Sequence, residues 1–198
     1  MNDETIIEVL VGYIDAGGFV MMPLVVAAMV LWYAIGFRMM TLQRGTRFHV
    51  RTLIRQYKDG RRSGQSRGLI DRAARQGVQI ARRYPRHIAE VLDDAFFSYY
   101  QELKRGRTVI VSIVSIAPLV GLLGTVAGMI ETFDSLGDNA LFAQSGGIAG
   151  GISQALFSTQ MGLCVAIPGV IVGRLLDRRQ HRLEEELDQI KALLGGAA

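Results

Sequence analysis

The sequence predicts an all-α, polytopic membrane protein with three transmembrane helices, and three observations carry that prediction. Residues 108–173 run for sixty-six positions without a Lys or Arg. All 22 Lys and Arg lie in two blocks, 17 from Arg38 to Arg107 and 5 from Arg174 to Lys191. Hydrophobic residues fill 49% of the 198 positions and charged residues 20%, a balance shifted toward lipid. Crossing the hydrocarbon takes roughly 20 mostly apolar residues, because an unpaired backbone group there is costly and a helix satisfies all of its own.

Taken in order, residues 1–18 read as an outer-face segment, with the amphipathic pattern ETIIEVLVGYI at 4–14 before Gly17 and Gly18 turn the chain into the membrane. Residues 19–37, FVMMPLVVAAMVLWYAIGF, form the first span, with Trp32 and Tyr33 near the end where aromatic belts sit. A cleaved signal peptide is the competing reading. Against it, the residues ahead of the span are acidic (Asp3, Glu4, Glu8, Asp15) and no small-residue cleavage site follows. By the positive-inside rule the basic block over 38–108 is a cytoplasmic helical insert. It reads as a basic helix over 47–57, a loop over 59–68, a helix over 69–83 and an interruption at Tyr84 and Pro85. Then Ile88, Val91, Leu92, Ala95, Phe96, Tyr99, Tyr100 and Leu103 form an apolar stripe at spacings of three and four.

Only five residues, 104–108, separate that stripe from the second span, 109–133, so one long helix is expected to rise from the cytoplasm through the membrane, with Gly106 its weakest point. Residues 134–147 connect outside, and 148–176 form the third span. The tail, 177–198, is helical and cytoplasmic; Leu176, Leu183, Leu187, Ile190 and Leu194 keep a heptad-like spacing that suits association with its own cytoplasmic helices or with neighbouring subunits. Three spans put the amino terminus outside and the carboxyl terminus inside.

Several function classes fall away on this pattern. Arginines beside membrane spans reflect topology and attraction to anionic lipid at the cytoplasmic face. The segment GRRSGQSRG at 60–68 has no interleaved aromatics, so no nucleic-acid partner is expected. Cys164, the single cysteine, reads as a small packing residue. No nucleophile and base pair, metal cluster or phosphate loop stands out, so neither enzyme, cofactor nor metal is expected; GLLGTVAG lies inside an apolar span and not after a strand.

The second and third spans carry a polar seam. Small residues let helices approach in lipid, and Gly121, Gly128, Ala155, Gly162 and Ala166 are expected to pack against a partner helix. Thr125 and Thr159 fall at nearly one depth, and Thr132 lies one heptad from Thr125. A membrane threonine ordinarily bonds its own preceding turn; two at one depth on small-residue faces point instead to a polar wall, with Thr125, Thr159, Gln154 and Thr132 as its lining. Gln154 stands between a site role and ordinary interhelical hydrogen bonding, and Gln160 between a subunit contact and the same. Glu131 lies at the outer end. The middle of the membrane holds no Asp, Glu, His, Lys or Arg, so a proton relay needs its acid from another subunit.

At APLVGLLGTVAGMIETF (117–133) and GGISQALFSTQMGLCVAIPGVIVGRLL (150–176) the chain resembles the MotA/TolQ/ExbB proton-channel family, most closely the compact ExbB type associated with second Ton systems. The resemblance implies a homo-oligomer, a pentamer, in the bacterial inner membrane, its second and third spans lining a pore around an ExbD-like subunit that carries an intramembrane Asp. It implies that Thr125 and Thr159 face that carboxylate, and that the proton-motive force moves the partner to energise a TonB-like protein. One departure is Gln154, where the family often has Glu. A TolQ-like role in envelope integrity and a passive membrane scaffold are the alternatives; a flagellar stator would have a further span and a larger cytoplasmic domain.

Overall fold

The computed structural model describes residues 17–43, 45, 48–60, 68–84, 87–138 and 145–195. The expected amphipathic segment at 4–14, most of the loop at 59–68 and the middle of the outer connection lie outside the described residues. Among those described, every regular element is helical: a 3-10 turn at Gly18–Val20, then α1 Met21–Thr41, α2 Val50–Lys58, α3 Leu69–Arg83, α4 Ile88–Lys104, α5 Arg107–Asp138 and α6 Ser145–Gly195. Three stretches are long and apolar enough to cross a membrane, Gly18–Thr41, Ile88–Asp134 and Ala149–Gly195. The second is not one unbroken helix, contrary to expectation. Arg105 takes an extended backbone (φ −61°, ψ 132°) and Gly106 the left-handed one (φ 80°), so α4 ends before α5 begins. The break falls at the residue with least to lose, since glycine has no Cβ to oppose a positive φ.

The chain forms two compact units, residues 1–35 with 109–173, and 36–108 with 174–198. The first is a helical hairpin, α5 against α6, with α1 on it. Its register is regular: Ile110 meets Gly173, Val114 meets Gly169, Gly121 meets Gly162, Gly128 meets Ala155 and Thr132 meets Gly151, each pair of residue numbers adding to 283. Each of these layers contains a glycine, so the two backbones come close together. The layers recur at about 11/3 residues, near the straight-helix period, so antiparallel arms stay in step without drifting. Proline inside each arm, Pro118 and Pro168, removes one helical hydrogen bond from each.

The second unit is a small bundle in which the apolar stripe is inside. Ile88, Leu92, Phe96 and Leu103 of α4 are buried, as are Leu176, Leu183, Leu187, Ile190 and Leu194 of α6. The tail packs on other helices of its own unit. The Tyr100 hydroxyl donates to Asp188 Oδ1 at 2.5 Å, Lys191 pairs with Asp93, and a Cβ on Gly77 of α3 would meet Leu194 Cδ1 at 2.7 Å. Burial and the bond to Asp188 push the Tyr100 phenol up from its ordinary value, which keeps it a donor. The helix α2 starts at Val50, later than the expected 47, with His49 extended before it.

Candidate functional site: the hairpin seam

Glycine at the crossing sets the geometry of the seam. A Cβ on Gly121 would lie 2.9 Å from Ser158 O and 3.2 Å from Thr159 Cα, so the arms touch backbone to backbone at mid-span. Around that contact the two α6 hydroxyls, Ser158 and Thr159, turn toward the same two carbonyls, and the α5 hydroxyl of Thr125 turns to a third. Thr125 Oγ1 donates to Leu122 O at 2.7 Å. Ser158 Oγ reaches Ala155 O at 2.9 Å and Gly121 O at 3.3 Å, and Thr159 Oγ1 reaches Gly121 O and Ala155 O at 3.4 Å each. Ser158 is fully buried, whereas Thr125 and Thr159 remain partly exposed.

The expected wall of Thr125, Thr159, Gln154 and Thr132 is divided by the structure. Thr132 is 4% exposed, donates to Gly128 O at 2.8 Å, and lies in the seam against Gly151. One heptad from Thr125 leaves it on a similar bearing, but the hairpin crossing at Gly151 covers it. Gln154 stands on another side of α6. It precedes the seam residue Ala155, whereas Thr159 follows Ser158, so at 100° per residue the two point to opposite sides. Gln154 meets Gly18 at the head of the first span, and that side is covered by α1, where a Cβ on Gly124 would come within 3.5 Å of Val20 and one on Gly169 within 2.9 Å of Leu31. The side with Thr125 and Thr159 is the one α1 leaves open.

The small residues expected to pack against a partner helix are also engaged within the chain. Gly121 and Gly162 meet each other, Gly128 meets Ala155, and Ala155 and Ala166 are buried. In the single chain they face the other arm of the same hairpin. Gln160 is exposed.

One cluster escaped the sequence reading. Arg38, 1% exposed, donates to Asp177 Oδ1 at 2.8 Å and Gln180 Oε1 at 2.5 Å, and Arg107 Nε reaches the same Asp177 oxygen at 3.2 Å. Burial would raise the Asp177 carboxyl, but the two guanidiniums outweigh it and hold it below the usual carboxylate range. Sequence pattern alone gives Arg38 only a topological role. The one signal was Asp177, an acid among arginines at the end of the third span. No cluster of three or more His, Cys, Asp or Glu that could hold a metal occurs among the described residues.

A family model described as the MotA/TolQ/ExbB proton channel family matches residues 65–189. Among curated proteins the chain is 43% identical over 94 residues to a putative biopolymer transport protein ExbB-like 3 of Synechocystis, covering 45% of each chain. It is 32% identical over 133 residues to the biopolymer transport protein ExbB of Neisseria gonorrhoeae, covering 60% of each. It is 30% identical over 133 residues to a putative ExbB homolog of Methanothermobacter thermautotrophicus, covering 67% of this chain and 46% of that one. The chain spans about half the length of the curated relatives it matches.

Proposed function

Because the chain belongs to the MotA/TolQ/ExbB proton channel family, we propose that it is an ExbB-type subunit of a proton-motive-force-driven motor in the bacterial inner membrane. It forms a homo-oligomer, a pentamer, around an ExbD-like partner that brings an intramembrane Asp, and together they energise a TonB-like protein for outer-membrane transport. The amino terminus is periplasmic and the carboxyl terminus cytoplasmic, with spans at 19–37, 109–133 and 148–176. The groove of about 510 Å³ bordered by Met39, Leu42, Arg179, Arg182 and Glu186 has two guanidiniums against one carboxylate, which supports contact with anionic lipid at the cytoplasmic face.

The observation that carries this reading is the pair Thr125 and Thr159, partly exposed at mid-span on the side away from α1. Each hydroxyl hydrogen goes to a backbone carbonyl, which leaves the oxygen's lone pairs to accept from a protonated carboxyl. When that carboxyl ionises, the hydroxyl turns to donate to it. Thr159 turns more easily, because its two 3.4 Å bonds are long. The threonines thereby serve both protonation states of an acid that the middle of these spans lacks. Chemistry of this kind moves a proton and makes no covalent bond. The test is energised uptake by Thr125→Val, Thr159→Val and the double variant against serine at both positions. Serine retains uptake and valine loses it; normal uptake in a double valine variant that still assembles with its partner overturns the proposal.

A further inference from the structure

The cytoplasmic bundle carries two faces of opposite charge at one level, and nothing in the proposed ion path uses them. On α4 the exposed residues Glu90, Asp94, Phe97 and Gln101 follow at spacings of four, three and four, which is one helix face. Phe97 is 62% exposed at its centre. On α3 the exposed residues Arg72, Arg75, Gln79 and Arg82 follow at three, four and three, with Arg83 alongside. Some of these charges are spent within the chain: Arg72 pairs with Glu102, and Arg82 donates to Lys58 O. Arg75 and Asp94 have no ion pair among the described residues.

We infer that the acidic, Phe97-centred face of α4 docks on the basic α3 face of a second copy of this chain, forming a head-to-tail contact. This rests on the oligomeric reading above and names the surface that would build it. The occupant follows from charge and level together. Arg72 bonds Glu102 at 2.9 Å and the Tyr99 hydroxyl bonds Gln76 at 2.6 Å, so α3 runs antiparallel beside α4. In that register Arg75 and Gln79 flank the level of Phe97, and Arg82 and Arg83 lie level with Glu90 and Asp94. A head-to-tail contact joins two different patches of the same chain, and these two lie level with each other along the α3–α4 pair and differ in sign. Phe97 then sits among guanidiniums that favour an aromatic face, with charged residues around it as a rim.

The test cross-links the full-length chain in detergent, in a Cys164→Ala background, with Phe97→Cys and Gln79→Cys and a short bismaleimide. The double-cysteine chain gives a ladder beyond the dimer, because each copy offers one donor and one acceptor face. Each single-cysteine chain gives none. Reversing one face, with Glu90→Arg and Asp94→Arg or with Arg75→Glu and Arg83→Glu, lowers the ladder about tenfold, and combining both reversals restores it. Dimers from Phe97→Cys alone mean a two-fold contact and overturn the inference. An intact oligomer by mass with no double-cysteine ladder overturns it while the oligomeric reading stands, as does an oligomer in which the α3 reversal only abolishes binding to vesicles of anionic lipid. A monomer by mass removes both.

Discussion

Replacing Gly121 with alanine tests the seam at its tightest point. The new Cβ would stand 2.9 Å from Ser158 O, 3.2 Å from Thr159 Cα and 3.3 Å from Gly162 Cα. All three are backbone atoms, so no side chain can swing aside. Ordinary contact begins near 3.4 Å, and the arms must part by roughly half an ångström; overpacking of this kind costs about 1–3 kcal/mol. Gly162→Ala meets Ala117 O at 2.8 Å and Gly121 Cα at 3.1 Å and carries a similar cost. Gly121 and Gly162 share one layer, so a single separation relieves both, and the double variant loses less than the two singles added. Gly36→Ala is the control, because nothing lies within 4 Å of its Cβ, and better helix propensity stabilises it by up to about 1 kcal/mol. SDS titration of the purified chain in mixed micelles, followed by circular dichroism, reads the order of midpoints. Gly121→Ala and Gly162→Ala as resistant as Gly36→Ala would refute the backbone-contact reasoning.

Three further outcomes are expected. Asp177→Asn leaves Arg38 buried without its carboxylate and destabilises the second unit by about 3 kcal/mol, read as a lower thermal midpoint; an unchanged midpoint would mean that the pair is idle. Asp177 is held below the ordinary carboxylate range, so its contribution is present above the unfolded value of about 3.9 and is lost as pH falls through the lower folded value. A melting series from pH 5 to pH 2 should therefore be flatter in Asp177→Asn. Gly106→Ala forces a side chain into a φ of 80° with no atom within 4 Å of the new Cβ, so its cost is conformational alone, about 1–2 kcal/mol, and a more stable variant would contradict the break between α4 and α5.

Much of the fold was legible because punctuation and periodicity are local. Gly68 before Leu69 and Tyr84 after Arg83 bound α3 at the residues expected. The α4 stripe read at three and four is the face that is buried, and Phe97, which the stripe leaves out, is exposed. What stayed hidden depends on pairing over long separations. Arg38 and Asp177 are 139 residues apart, and no local pattern announces that Arg38, among the fifteen arginines of its block, turns inward. The seam was legible in composition but not in allocation. Thr132 and Gln154 have the right chemistry for a wall, yet one is closed by Gly151 and the other faces Gly18, because the hairpin crossing and the position of α1 decide which side stays open.

An image of the chain assembled with its co-expressed ExbD-like partner, at a resolution that shows side chains, tests the central claim most directly. The account predicts the partner's intramembrane carboxylate on the open side of the hairpin, within about 3.5 Å of Thr125 or Thr159 Oγ1 directly or through one water. A carboxylate lying instead on the Gln154 side beside α1, or a pore not bordered by Thr125 and Thr159, would contradict it.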